Sequence, residues 1–522
     1  MTIIDHARTL SDVLQGHAAA RADKIAFETV DGHEVTFGDF NKRVNRLCNA
    51  ASSLGLRKGA RVAILSLNRP EYVEVYGVAK SGLIVVPLNW RLAPGELVKL
   101  LAHSAPDMLI VDEANLELVE SIRSALPSVS HYVLLGEARS GWTGFEALLA
   151  CGSDEEPIVA ATPDDILCLI YTSGTTGEPK GVAITHSGAL GNSRAAATDI
   201  LSLTDRDRTM AVMPLFHAGG MWYHLFPSFL SGCTTLILAE FEPPTVLREL
   251  EARRISNVHL VPTMIGSLLA HPSAKTADLS HLRILFYAAS SMPAILLRQA
   301  MQVFSQCGFV QSYGSTEAGV ISVFDSVTHL RALTADNEHL LLACGRPIVD
   351  REVLVLNEDG HSLSAGEVGE IVVRSKSAMK GYWHNEEATY RVMRNGWLKT
   401  GDLGYFDSEG FLYIVDRTND MIVTGGENVF PTEVEGLLYG DPDVLEAAVF
   451  GIPDPVWVEK VVAAVVLKTG SGVSSEEIIN RLRGRLASYK CPKTIFFTSA
   501  LPKNALGKVL RKELRKQYSP KG

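Results

Sequence analysis

The chain has 522 residues, of which 46% are hydrophobic and 21% charged, and its formal net charge is −10. This length exceeds one typical core and indicates two or more domains, while the composition excludes a disordered chain. The acidic balance argues against a nucleic-acid partner bound by phosphate neutralisation, so it favours small-molecule chemistry.

The cysteines and the N-terminus indicate a compartment. The seven cysteines are scattered, odd in number and without a CxxC pair, which argues against a disulfide framework or a zinc site. The N-terminal stretch MTIIDHARTLSDVLQGH lacks the apolar core of a signal peptide, and no uncharged apolar run reaches the ~18 residues of a membrane span. We expect a soluble, cytoplasmic protein without integral membrane association.

Short apolar runs alternate with amphipathic segments before residue 290. They are RVAILSL (61–67), LIVVPL (83–88), MLIVD (108–112), ILCLI (166–170), TTLILA (234–239), VHLVP (258–262) and RILFY (283–287). Continuous Val, Ile and Leu runs of this length predict parallel strands that are buried on both faces. The pattern predicts an α/β fold with doubly wound, mainly parallel sheets.

The pattern changes twice after residue 345. REVLVLNEDGHSLSAGEVGEIVVRS joins strand-like runs by Asp-Gly and Ala-Gly turns and predicts a small antiparallel region. Beyond DRTND (416–420), two strand runs and the helical run SSEEIINRLRGRLASY predict a small α+β domain. The predicted organisation is an N-terminal domain of residues 1–416, a hinge at 417–420 and a mobile C-terminal domain of residues 421–522.

The stretch YTSGTTGEPKGV (171–182) follows a predicted strand directly, where parallel sheets place ligand loops. Its glycines permit close backbone approach, and its hydroxyls and lysine are phosphate donors. The donor residues are Thr172, Ser173, Gly174, Thr175, Thr176, Gly177 and Lys180. It is not a Walker A loop, because Pro179 precedes Lys180 and Gly181 follows it. A polar surface turn is the ordinary alternative.

This string and YGSTEAG (313–319) together resemble two core motifs of the adenylate-forming superfamily, which includes acyl-CoA synthetases and coumarate:CoA ligases. The resemblance implies that Tyr313, beside Gly314, stacks on adenine, that Thr316 binds the α-phosphate and that Glu317 holds Mg²⁺. Residues Ala288, Ala289 and Ser290 correspond to a further nucleotide-binding segment.

Three later segments extend the resemblance. Asp402 and Arg417, in WLKTGDLGYFDSEGFLYIVDR, correspond to ribose-binding residues, and Lys508, in PKNALGKVLR, corresponds to the catalytic lysine. A surface ion pair or a solvated lysine is the ordinary alternative for each residue alone. The segment GGENVFPTEVE corresponds to the wall of the CoA tunnel, with Gly425, Gly426, Glu427 and Asn428 as the CoA-binding residues.

The resemblance implies a two-step ligase that uses ATP, Mg²⁺ and CoA. A carboxylic acid is joined to AMP with release of pyrophosphate, and a thiol then displaces AMP after the C-terminal domain has rotated about the hinge. The chain departs from the family pattern at Asn419 in the hinge, at Ala288 and Ala289, at Val458 and at Asn504.

The segment MPLFHAGGMWYHLFPSFLSG (213–232) corresponds to one wall of the acyl pocket and contains no acidic residue. His217 matches a position that gates access to the thiol tunnel and is also assigned a catalytic role, while Met221, Trp222 and Ala288 are expected to line an apolar pocket, although they are equally typical of a core. The expected substrate is a fatty acid or a bulky aromatic or alicyclic acid.

Three functions are open at this point. The first is an acyl-CoA or aryl-CoA synthetase, which the intact GGEN segment favours. The second stops at the adenylate and loads a carrier protein, or oxidises the acyl group as luciferases do. The third is a nucleotide-binding regulator without activity, although the joint presence of Glu317, Asp402, Arg417 and Lys508 argues against it. A monomer or a homodimer is expected.

Overall fold

The computed structural model describes residues 3–172, 179–290, 292–417, 420–424, 427–455, 457–483, 485–504 and 508–519. These residues form two large, mainly parallel sheets, a small antiparallel sheet and a C-terminal sheet. The predicted α/β fold, with a large N-terminal part and a smaller C-terminal α+β part, is confirmed.

The first large sheet has nine strands. In spatial order they are Arg346–Pro347, Gly319–Phe324, Gly308–Ser315, Ile284–Tyr287, Asn257–Leu260, Arg208–Ala211, Thr234–Ile237, Ile25–Thr29 and Glu34–Thr36. The strands from Gly308–Ser315 to Ile25–Thr29 are parallel, and the outer pairs are antiparallel. Three of the predicted apolar runs form strands here, and Asn257–Leu260 is buried at every position.

The second large sheet has eight strands. In spatial order they are Gly381–Tyr382, Lys180–Thr185, Ile166–Thr172, Ile84–Pro87, Arg61–Leu65, Met108–Asp112, His131–Leu135 and Thr143–Gly144. The strands from Ile166–Thr172 onward are parallel, whereas Ile166–Thr172 pairs with Lys180–Thr185 in an antiparallel hairpin. The other four predicted runs form strands here, and the predicted phosphate loop lies in the sequence between the two strands of the hairpin.

The third sheet is antiparallel, as predicted. It contains Arg351–Leu356, Gly369–Ser375, Trp397–Phe406 and Met393–Arg394, and Leu412–Arg417 pairs with Trp397–Phe406. The turn between its first two strands contains Gly360 and Gly366, which have φ values of 84° and 88°. Glycine reaches this left-handed region without the steric penalty of a Cβ atom, so the sequence favours a tight return.

The C-terminal sheet contains Glu427–Val429, Ile422–Thr424, Val458–Leu467 and Val444–Asp454, and Thr494–Phe497 pairs in parallel with Val458–Leu467. The two long strands are the two runs predicted for this part of the chain. The helix predicted over 474–489 is shorter, Ser475–Arg483. The side chain of Ser474 accepts a hydrogen bond from the backbone N–H of Glu477, which caps the helix start.

The α-helices are mostly short and cover the sheets. They are Ile3–His6, Leu10–Arg21, Phe37–Ser53, Pro70–Gly77, Pro94–Ser104, Leu116–Ile122, Phe145–Ala150, His186–Ala195, Ala218–Gly220, Phe226–Ser231, Pro243–Ala252, Pro262–Ala270, Ala294–Val303, Ser326–Ala332, Glu386–Val392, Pro431–Tyr439, Ser475–Arg483 and Arg511–Tyr518. Wide helical turns of π type extend over Ala196–Ile200 and Met221–Leu225. In the described part of the chain, no helix has the length and apolar character of a membrane span.

Candidate active site

The side chains of Tyr313 and Arg417 both contact the carboxylate of Asp402. The phenol O–H of Tyr313 donates to Asp402 Oδ2 over 2.6 Å, and Arg417 Nε lies 3.3 Å from Asp402 Oδ1. Asp402 and Arg417 are directly opposite each other in adjacent antiparallel strands, which fixes their distance. Asp402 is buried and Arg417 is exposed, so the carboxylate is held in place while the guanidinium reaches outward.

Two glycines shape the hairpin that carries YGSTEAG. A Cβ atom on Gly314 would lie 2.2 Å from the carbonyl oxygen of Gly319 on the opposing strand. Gly319 has a φ of 74°, and a Cβ atom there would lie 2.6 Å from Asn192 Oδ1. A side chain at position 314 would therefore separate the two strands, and one at position 319 would collide with Asn192 on the helix His186–Ala195. The half-buried side chains of Tyr313, Thr316 and Glu317 are therefore presented at the end of a tightly closed hairpin.

The structure describes only the two ends of the predicted phosphate loop. Thr172 pairs with Lys180 across the hairpin, and both are half-buried. The predicted loop residues Ser173, Gly174, Thr175, Thr176 and Gly177 lie outside the described residues. The ring of Tyr171 packs against Gly181, and the Tyr171 hydroxyl forms a hydrogen bond of 2.8 Å with His103 Nδ1.

Tyr382, which was not predicted from the sequence, contacts both nucleotide motifs. Its hydroxyl donates to Glu317 Oε1 over 3.1 Å, and the ammonium of Lys180 lies 5.2 Å from the centre of its ring. Tyr382 belongs to a two-residue strand, Gly381–Tyr382, which is too short for a periodic signal. An aromatic residue after a glycine in an otherwise polar stretch, MKGYWHNEE, was the available signal.

Lys508 approaches the Asp402 and Arg417 pair from the C-terminal domain. Its backbone N–H donates to Asn504 Oδ1 over 2.9 Å, and the N–H of Asn504 donates to the carbonyl of Lys508 over 2.8 Å, so the two residues close a narrow turn. Burial, and then the nearby Arg417, lower the pKa of Lys508 to about 8, while Asp402 acts in the opposite direction. The structure thus brings together four residues predicted from three separate segments: Tyr313, Asp402, Arg417 and Lys508.

His217 starts the short helix Ala218–Gly220 and caps it. Its Nδ1 accepts a hydrogen bond of 3.0 Å from the backbone N–H of Gly219, so this nitrogen carries no proton. Burial lowers the pKa of His217 to about 4, and the ring is neutral at physiological pH. The side chain of His217 is half-buried.

His259 lies deeper, beside the same helix. Its Nδ1 donates to the carbonyl of Gly219 over 3.1 Å, and its ring packs 4.4 Å from that of Phe286. Burial, and then His224, lower the pKa of His259 well below its usual value. The neutral ring therefore presents Nε2 as an acceptor, and this atom has no hydrogen-bond partner among the described residues.

The other predicted pocket residues differ in position. Met221 and Trp222 are buried against Tyr76 and Phe226, so both side chains belong to the apolar core. Ala288 is buried at the end of its strand. The prediction that Met221 and Trp222 line the acyl pocket finds no support in these contacts, because they face the helices packed on the sheet.

The departures from the family pattern include two strained residues. Ala289 has a φ of 74° and Val458 a φ of 71°, both in the left-handed region. Glycine adopts this conformation at low cost, whereas an alanine or a β-branched valine is strained by about 1–3 kcal/mol. A glycine would remove this strain at both positions. Ala289 and its neighbour Ser290 are exposed.

The C-terminal domain is joined to the N-terminal part by contacts around the predicted hinge. The Thr432 hydroxyl donates to the carbonyl of Val415, and its backbone N–H donates to Asp416 Oδ2 over 3.2 Å. On the other side, Asp420 accepts charged hydrogen bonds of 3.2 Å from Arg511 and Arg515. The predicted hinge residue Asn419 and the predicted CoA-binding residues Gly425 and Gly426 lie outside the described residues.

Two predicted CoA-binding residues are described, Glu427 and Asn428. Both are exposed on the strand Glu427–Val429. They belong to a segment distinct from the turn that carries Lys508.

Glu317 fits a magnesium ion held mainly by phosphate oxygens. Its carboxylate is half-buried, its Oε1 accepts from Tyr382, and its Oε2 accepts no hydrogen bond from the described residues. Among these residues, no group of three or more His, Cys, Asp or Glu side chains forms a metal cluster. Mg²⁺ typically binds one or two carboxylates together with substrate phosphates and water, so a single carboxylate beside a phosphate loop is a suitable donor set.

Comparison with known proteins gives a consistent result. The family described as AMP-binding enzyme matches residues 14–383, and the AMP-binding enzyme C-terminal domain matches residues 433–508. Feruloyl-CoA synthase from an Amycolatopsis species is 38% identical over 93% of this chain and 94% of its own length. Indoleacetate–CoA ligase from Aromatoleum aromaticum is 34% identical over 98% of both chains.

The solved structures include two forms of one relative. ATP-bound MatB from Rhodopseudomonas palustris matches with a TM-score of 0.89 at 27% identity and covers 98% of this chain and 99% of that chain. Apo MatB from the same organism matches with a TM-score of 0.77, also at 27% identity, over 98% and 99% of the two chains. The backbone of this chain therefore superimposes more closely on the ATP-bound form of MatB than on the apo form.

Proposed function

Because the chain belongs to the AMP-binding enzyme family, we propose that it is an ATP-dependent acyl-CoA synthetase that activates a carboxylic acid as acyl-AMP and transfers the acyl group to CoA. The observation that carries this proposal is the contact of Tyr313 and Arg417 with the Asp402 carboxylate, together with the charge interaction of this group with Lys508 of the C-terminal domain. A lysine from the C-terminal domain, partly desolvated over a ribose-binding type of carboxylate, suits the neutralisation of an α-phosphate.

In the first half-reaction, a carboxylate oxygen of the acid attacks the α-phosphorus of ATP and pyrophosphate leaves. Asp402 accepts hydrogen bonds from the ribose, Tyr313 stacks on adenine, and the Thr316 hydroxyl donates to the α-phosphate. Lys508 neutralises the negative charge that accumulates between the carboxylate and the α-phosphate. Mg²⁺ held at Glu317 neutralises the polyphosphate when it is bound.

In the second half-reaction, the CoA thiolate sulfur attacks the acyl carbonyl and AMP leaves with the bonding electrons. We assign the CoA tunnel to Gly425, Gly426, Glu427 and Asn428. Because Lys508 and this segment lie in different parts of the C-terminal domain, the domain of residues 421–522 rotates against residues 1–416 about the hinge 417–420. Rotation breaks the Thr432 contacts with Val415 and Asp416, whereas the ion pairs of Asp420 move with the C-terminal domain.

We propose an aromatic acid as the substrate, ahead of a fatty acid. Two of the most similar relatives are named for feruloyl and indoleacetate groups. His217, at the predicted acyl wall, supplies a half-buried aromatic ring. The seven free thiols support a reducing, cytoplasmic location.

A panel of acids tests this function. A hydroxycinnamic acid, indoleacetic acid, and a medium- and a long-chain fatty acid are each incubated with ATP and Mg²⁺, and pyrophosphate release and CoA thioester formation are followed. We expect pyrophosphate with the aromatic acids and a thioester once CoA is added. Pyrophosphate release without a thioester, for every accepted acid, would contradict the CoA ligase and favour transfer to a carrier protein.

A further inference from the structure

The strand Gly381–Tyr382 connects the two nucleotide motifs. It pairs with Val182 and Ala183 on the hairpin strand that follows the phosphate loop. The backbone N–H of Trp383 donates to the carbonyl of Gly181 over 2.7 Å, and the N–H of Met379 donates to the carbonyl of Glu317, also over 2.7 Å. A single short segment is thus hydrogen-bonded to both motifs, although they are more than a hundred residues apart in the sequence.

Tyr382 lies at the junction. Its ring face contacts the cation of Lys180, and its hydroxyl contacts the anion of Glu317. Its own position is fixed, because its N–H donates to Thr389 Oγ1 over 2.8 Å and its backbone pairs with Val182. A tyrosine has two rotatable side-chain bonds and loses little conformational entropy when it is held in this way.

The hydroxyl of Tyr382 acts as a donor to Glu317. Burial, and then the charge of Glu317, raise the pKa of Tyr382, so the phenol keeps its proton throughout the physiological range. Oε1 of Glu317 therefore accepts this hydrogen bond, whereas Oε2 accepts none from the described residues. A carboxylate restrained at one oxygen presents the other in a defined orientation.

We propose that Tyr382 is a positioning residue for adenylation: it orients Glu317 toward the metal ion on the ATP phosphates and seats the ammonium of Lys180 beside them. The inference rests on the proposed function of this nucleotide site. Loss of the hydroxyl frees the carboxylate to rotate, which weakens the binding of the magnesium complex of ATP. The ring alone continues to support Lys180, so the magnesium-independent part of ATP affinity is retained.

The variant Tyr382→Phe removes the hydroxyl and keeps the ring. Tyr413→Phe is the matched control, because the Tyr413 hydroxyl also donates to a carboxylate, Asp407 Oδ2 at 3.2 Å, within the third sheet. The dissociation constant of ATP is measured by calorimetry with Mg²⁺ and with EDTA. For Tyr382→Phe we expect an affinity about fivefold to tenfold lower with Mg²⁺ and unchanged with EDTA. Tyr413→Phe should match the wild type in both conditions.

A double-mutant cycle separates positioning from general structural damage. In a Glu317→Gln background, the change Tyr382→Phe should have no further effect on magnesium-dependent affinity, because the hydroxyl acts through Glu317. Additive effects of the two substitutions would overturn the inference, as would a magnesium-dependent affinity of Tyr382→Phe within twofold of the wild type. Wild-type protein that binds no ATP at all would instead overturn the proposed function, and the inference with it.

Discussion

Replacing Lys508 by alanine should separate the two half-reactions. The shift of the Lys508 pKa from 10.5 to about 8 corresponds to about 3 kcal/mol of lost stabilisation of its charged form in the free enzyme. The negative charge of a bound α-phosphate should restore the stability of the Lys508 ammonium, and this attraction should be strongest in the transition state of adenylation. Removal of the ammonium should therefore slow adenylation by about 10²- to 10³-fold, whereas thioester formation from a supplied acyl-AMP should change by less than about threefold.

The two steps are measured separately. Adenylation is followed by pyrophosphate release in a single turnover without CoA, and the second step is followed by thioester formation from synthetic acyl-AMP and CoA. Lys512→Ala is the matched control, because Lys512 is an exposed lysine four residues away. Equal losses in both steps, or a Lys508→Ala enzyme with full adenylation, would refute the reasoning and revive a non-catalytic nucleotide-binding function.

Three other predictions follow from single contacts. Lys508 is protonated below its pKa of about 8, so kcat/KM for ATP in adenylation should decrease by about tenfold per pH unit above pH 8. The variant Lys508→Arg should move this decrease to higher pH, because a guanidinium keeps its proton. Gly314→Ala places a Cβ atom 2.2 Å from the Gly319 carbonyl, so it should destabilise the hairpin by about 1–3 kcal/mol, measured as a lower melting temperature, and weaken ATP binding. Thr432→Ala removes one hydrogen bond to Val415, worth about 1 kcal/mol, so it should slow adenylation by up to about fivefold without slowing thioester formation from acyl-AMP; an equal effect on both steps would contradict the proposed rotation.

The fold was predictable because its strands are continuous apolar runs. All seven runs in the first part of the chain form strands, since Val, Ile and Leu positions buried on both faces leave little choice of structure. Their assignment to two separate sheets was not predictable, because strand order depends on contacts between distant segments. The helix predicted over 474–489 ends at Arg483, and helix ends are weakly specified by local sequence.

The site was predictable where a residue belongs to a dense motif. Tyr313, Asp402, Arg417 and Lys508 come from three separate segments, and the structure brings them together. Tyr382 was missed because its contacts with Lys180 and Glu317 depend on a two-residue strand between distant segments. Met221 and Trp222 show the limit of a local apolar pattern. Apolar residues beside a motif fit a pocket or a core equally well, and only their packing against Tyr76 and Phe226 distinguishes these.

Product analysis by phosphorus NMR tests the central claim most directly. The claim is that the bond broken in ATP lies between the α- and β-phosphates and that the acyl group ends on CoA. With an accepted acid, Mg²⁺ and CoA, the account predicts AMP, pyrophosphate and acyl-CoA in equal amounts, and acyl-AMP when CoA is omitted. Formation of ADP and inorganic phosphate would contradict it.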